Sequence, residues 1–124
     1  MQIGMLIKAK NALMSHFHEK MSPKLSYKLV KFLSIVETEE RFFNEKMKEI
    51  IECYCEKDEN GNFIPVDNGL KIKDGATEEC NKAICELEAV EIEVPQFKFT
   101  LNELDELKFS MQDMLVLSAF IDEE

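Results

Sequence analysis

SPKLSYKLVKFLSIVETEERFFNEKMKEIIECYCE, residues 22–56, decides how the rest of the chain must fold. Ser22 is an N-cap residue type and Pro23 suits the first helical position, so the stretch begins as a helix. Leu25, Leu29, Phe32, Leu33, Val36, Phe43, Met47, Ile50 and Tyr54 then recur at steps of three, four or seven. That spacing draws one apolar stripe along a helix and suits a seam against a second helix. Only Glu39 and Glu40 interrupt it. The pattern predicts a helix running to about residue 56.

Working backwards, Met5, Ala9, Leu13 and Phe17 recur every four residues, which predicts a first helix over 4–20. A tight turn at Ser22-Pro23 makes the two an antiparallel helical hairpin. The second helix would reach roughly 50 Å and the first roughly 25 Å at 1.5 Å per residue. Phe43, Met47 and Ile50 are then left uncovered and must meet a third helix, a sheet or another subunit. They are the residues expected to support self-association as a homodimer.

Working forwards, Asn60-Gly61 and Asn68-Gly69 are turn dipeptides. Residues 62–66 and 70–73 read as a small hairpin, with Pro65 restricting its strand to a sheet edge. A third helix is expected over 76–89, capped by Thr77 with Cys80, Ile84 and Leu87 inward. Residues 90–99 alternate on both sides of Pro95 and predict a strand. Thr100 opens a helical turn, and Ser110 with Asp113 caps a last helix through Ile121. The fold class is therefore α+β: a long antiparallel helical hairpin, a small mostly antiparallel sheet and a C-terminal helix. Residues 1–124 form a single domain, with the hairpin over 1–57 and the α+β portion over 58–124.

The chain has 124 residues, 45% of them hydrophobic and 32% charged, which is the composition of a globular domain with a core. No apolar run approaches the roughly 20 residues of a membrane helix. Lysines and histidines follow the first apolar residues at once, so no signal peptide is expected and the chain should work in cytoplasm. The formal net charge is −10. Residues 1–36 carry six Lys against one Glu, and residues 37–124 carry nine Lys and Arg against 24 Asp and Glu. Bulk acidity opposes direct nucleic-acid binding but permits a basic protein partner, including a nucleic-acid-binding one.

Local motifs yield no cofactor. Asp58, Asn60 and Asn62 match the first three ligand positions of a calcium loop. Phe63 stands where the sharp turn needs Gly, and Gly69 where a bidentate Glu is needed. No Gly-Lys-Ser/Thr follows to make a phosphate cradle. Cys53, Cys55, Cys80 and Cys85 lack a zinc spacing and read as buried, reduced thiols. His16 and His18 read as a solvated or interfacial pair. No nucleophile lies in register with a base, and no carboxylate pair stands out, so the chain is expected not to be an enzyme. Glu37, Glu40, Glu45, Glu49, Glu52 and Glu56 are the candidate partner-binding residues. Spaced along a rigid helix, they could imitate a phosphate backbone in a basic cleft. A solvated helix face explains the same residues more plainly.

SPKLSYKLVKFL, IIECYCEKDENGN and LEAVEIEVPQFKFTLNELDELKFSMQDMLVLSAFI, in that order, resemble a family of small proteins from tailed phages of Gram-positive hosts. That family is catalogued only as a domain of unknown function. The likeness spans most of the chain from about residue 20, with Cys55 where Gly is expected. It implies phage or prophage origin, hence the host cytoplasm as compartment, and carries over no catalytic residue. Two functions follow as expectations. One is a non-enzymatic protein that binds and modulates a host or antiviral-defence protein, such as a nuclease, through its acidic surface. The other is a virion-assembly or tail-associated factor.

Overall fold

A computed structural model describes every residue except Asn68, Val94, Glu123 and Glu124. Its architecture is α+β, with the long helix, a small antiparallel pair and a last helix near the C-terminus, as the sequence predicts. Helix α1 spans Ile3–Met14 and α2 spans Pro23–Tyr54. Ser22 caps α2 through its hydroxyl, which accepts from the Leu25 amide, and Pro23 sits in the first turn. The two helices are antiparallel. Leu13, Leu29 and Leu33 line one pocket near the turn, while Lys10 reaches Glu40 further along at 2.6 Å.

Helix α1 is shorter than its periodicity predicts. The chain leaves the helix after Met14 in a series of turns, so Phe17 is 63% exposed and Met5 also faces outward. Ile3, Gly4, Leu6, Ala9, Ala12 and Leu13 are the residues that α1 buries. The helix is central, packing on α2, on α3 (Thr77–Glu88) and on α5 (Met111–Leu117). Gly4 makes the approach of α3 possible: a Cβ there would lie 2.9 Å from Glu88 Cβ.

Phe32 of α2 is fully buried at the hub of an aromatic cluster. Its ring centroid lies 5.1 Å from Phe120, 5.5 Å from Phe97 and 5.8 Å from Phe99. Leu25 and Val36 join the same core, with Leu104, Leu107 and Leu117 from the C-terminal third.

Beyond Tyr54 the chain turns extended, so Glu56 lies past the helix end. Strands β1 (Pro65–Val66) and β2 (Gly69–Leu70) pair antiparallel. Cys55 pairs with Ile72 and Lys57 with Phe63, so each of these three short segments adjoins the other two. In the 58–62 loop, Asp58 Oδ1 accepts from the amides of Asn60 and Asn62 at 2.9 and 3.0 Å, and Gly61 takes φ 81°. The Asn68 half of the second predicted turn dipeptide lies outside the described residues.

Several local expectations need correction. Thr77 is the first residue of α3 rather than its cap; Ala76 holds that position without a side-chain bond. The predicted strand over 90–99 is mostly not a strand, and its Val94 lies outside the described residues. Glu91 pairs with Gln2, and the Ile92 amide donates to the Met1 carbonyl at 2.8 Å. Among the described residues of this stretch the one strand begins at its end, β3 (Phe99–Thr100), which pairs parallel with β4 (Ile121–Asp122). A parallel pair needs a crossover; α4 (Leu101–Leu104) and α5 supply it. Reciprocal capping boxes start both helices, Thr100 with Glu103 and Ser110 with Asp113. The last helix stops at Leu117; a 3-10 turn over Ser118–Phe120 follows, and Ile121 is strand.

Candidate functional site

The six candidate carboxylates do not form one open row. At about 100° per residue, Glu37, Glu45, Glu49 and Glu52 fall within an arc of about 120° on the outward side of α2. Glu40 leans toward α1, where it meets Lys10 in a largely covered ion pair. Glu56 lies beyond the helix and meets Lys71 at 3.2 Å. Arg41 holds Glu37 at 2.9 Å, Lys46 holds Glu49 at 3.3 Å, and Lys57 holds Glu52 at 2.8 Å. Five of the six thus have a cation in ion-pair reach. The Lys57 hydrogen bond holds the Glu52 carboxyl below the usual glutamate range. Such exposed pairs contribute little stability, but each cation cancels much of its carboxylate's field at a distance. The surface is mixed in charge rather than an anionic rail.

Phe43, Met47 and Ile50 are half-buried rather than open. Helix α3 packs against α2, and Ile50 shares a groove with Ala83 and Leu87. The third helix therefore covers part of this stretch within the same chain.

The thiols divide by environment. Cys55 and Cys80 are buried as expected, but Cys53 and Cys85 are exposed; all four are free. Burial pushes the Cys80 thiol up, reinforced by Cys55 and Cys53 nearby. A thiol raised in this way is a weak nucleophile, which fits a packing role. The neighbouring Cys53, then burial, pushes the Tyr54 hydroxyl up. His16 is not solvated. It is buried, paired with Glu19 through Nδ1 and edge-on to Phe109 at 4.6 Å. His18 is exposed and stands edge-on to Phe17.

Two features escape a reading of the inward stripe alone. Tyr27, Val30, Ile35 and Phe42 stand on α2 with their side chains substantially in solvent, at 63, 60, 44 and 39% exposure. An apolar pocket of about 180 Å³ opens between the ends of α1 and α2, lined by Leu13, Phe17, Met21, Leu29, Val30 and Leu33. Their sequence signal is that Tyr27, Val30 and Phe42 are apolar yet lie off the stripe that begins at Leu25. Among the described residues, no helix is long and apolar enough to cross a membrane.

Compared with known proteins, the chain matches no family model, no curated protein and no solved structure.

Proposed function

We propose that this chain is a phage-encoded, non-enzymatic protein that binds another protein in the host cytoplasm, with α2 as its docking rod. The observation that carries this reading is the exposure of α2. Of its 32 residues only Leu25, Phe32 and Val36 are buried, and the outward side mixes paired charges with Tyr27, Val30, Ile35 and Phe42. A rigid helix with scattered apolar side chains among charges suits a protein groove better than nucleic acid or lipid.

The reading takes two forms. Modulation of a host or defence protein with a basic cleft, such as a nuclease, draws support from the net charge of −10. A virion-assembly or tail-associated role draws support from the cations set against Glu37, Glu49 and Glu52, because a neutralised surface favours packing over long-range attraction. Co-purification of the tagged chain from infected cells separates them. A virion protein recovered in stoichiometric amount supports assembly, and a host or defence protein supports modulation. The acidic surface is tested on whichever partner is recovered. Glu45, Glu49 and Glu52 all changed to Lys should slow association steeply at low salt. Unchanged affinity across low and high salt removes these carboxylates from the interface.

A further inference from the structure

The outward side of α2 carries a pattern of its own. Lys24, Lys31, Thr38, Glu45 and Glu52 recur every seven residues, and all five are exposed. Positions seven apart fall on one line along a helix that pairs with another. Read from its N-terminal end, the line is positive, positive, neutral, negative, negative. It is antisymmetric about Thr38.

We propose that α2 pairs antiparallel with α2 of a second copy of this chain, about a two-fold axis at Thr38. That register sets Lys24 of each copy against Glu52 of the other, and Lys31 against Glu45. Among the described residues, Lys24, Lys31 and Glu45 have no opposite charge in ion-pair reach within their own chain. They are the charges that the register satisfies. Glu52 is shared with Lys57, so the Lys31–Glu45 pair carries most of the electrostatic specificity.

The apolar side chains fit the same register. Ile35 and Phe42 are seven apart, on one flank of the line and on either side of the axis. An isologous contact brings Ile35 of one copy toward Phe42 of the other, twice. Both are more than a third exposed in the single chain. Ser34 and Thr38 are small, which lets two helices approach at the axis. From Lys24 to Glu52 the line runs about 42 Å at 1.5 Å per residue, long enough for a continuous seam. The like-charged contact of Glu37 with its own copy near the axis is blunted by Arg41. Phe42, at the edge of this face, also lines the groove that Ile50 shares with Ala83 and Leu87 of α3, so the seam runs beside α3.

The contact uses the same side of α2 as the partner proposed above, so the two compete for it, and its test contains no partner. Sedimentation equilibrium of the full chain at low salt should show a reversible monomer–dimer equilibrium that salt weakens. Lys31→Glu and Glu45→Lys should each raise the dimer dissociation constant about tenfold or more, because each sets like charges together twice. Mixing the two variants should restore association, since the mixed pair has opposite charges at both contacts. Ile35→Ser tests the apolar part without altering charge and should also weaken the dimer. All three positions are exposed, and circular dichroism checks that the fold is kept. A chain that stays monomeric at low salt and high concentration overturns the proposal. So do variants that associate like wild type, or a mixture that stays apart.

Discussion

The two halves of α2 share one apolar period and meet different surroundings. In the half before Glu37, Leu25, Phe32 and Val36 are at most 1% exposed and belong to the main core. In the half after it no residue is buried; Phe43, Met47, Ile50 and Ile51 are half-covered. The first half is enclosed by α1, by the Phe97–Phe99 segment and by the C-terminal turn at Phe120. The second leans on α3, whose own buried residues, Cys80 and Leu87, stand outside the main core cluster. Periodicity states which side of a helix is apolar. It does not state how much protein will be there to cover it.

The largest expected effect tests this contrast by truncation. Phe32→Ala removes the hub of the aromatic cluster and should cost about 3–5 kcal/mol, enough to unfold a marginal domain. Met47→Ala, on the same stripe but half-covered, should cost about 1 kcal/mol. Urea unfolding of both variants measures the difference. Equal losses would mean that the far half is as much a part of the core as the near one.

A second test reads the contrast without mutation. Hydrogen exchange reports the opening free energy of each amide. Amides over 43–52 should exchange through a local opening about 2 kcal/mol easier than the global unfolding that limits those over 25–36. Uniform protection along α2 would show that α3 clamps the far half as firmly as the core clamps the near one.

What could be read from sequence follows the same division between local and distant causes. Ser22 with Pro23, Thr100 at the start of a helical turn, and Ser110 with Asp113 were legible because each cap is completed within a few residues. The central place of α1 was not, because it depends on α3 and α5 arriving from far along the chain, past the bare Gly4. The alternation over 90–99 predicts a strand that mostly does not form; its first residues instead pair with the N-terminus at Met1 and Gln2, which pattern cannot announce. The candidate site divides likewise. Arg41 and Lys46 stand four and three residues from their carboxylates and can be read as helix pairs. Lys10 and Lys71 reach Glu40 and Glu56 only through the tertiary fold, and with them the apparent anionic row loses its uniformity.

The smallest expected effect concerns the tie between the near half of α2 and the C-terminal third. Lys28 Nζ donates to Glu103 Oε1 at 2.6 Å, and the same oxygen accepts from the Thr100 amide at 2.8 Å. Glu103 thus closes a capping box and an interhelical ion pair at once. The Lys28 hydrogen bond, then that of the Thr100 amide, holds its carboxyl below the usual glutamate range. A carboxyl lowered in the folded state stabilises the fold once it is ionised. That contribution is present above the unfolded value of about 4.3 and is lost as pH falls through the lowered folded value. Glu103→Gln keeps the shape and removes the charge, so it should cost about 1 kcal/mol near pH 7. The gap between wild type and variant should close as the medium is acidified below that window, because the wild-type carboxyl is then neutral as well. Thermal unfolding at pH 7 and at pH 3 measures both gaps. A gap that persists unchanged at pH 3 would assign the loss to the shape of the cap rather than to the Lys28–Glu103 charge pair.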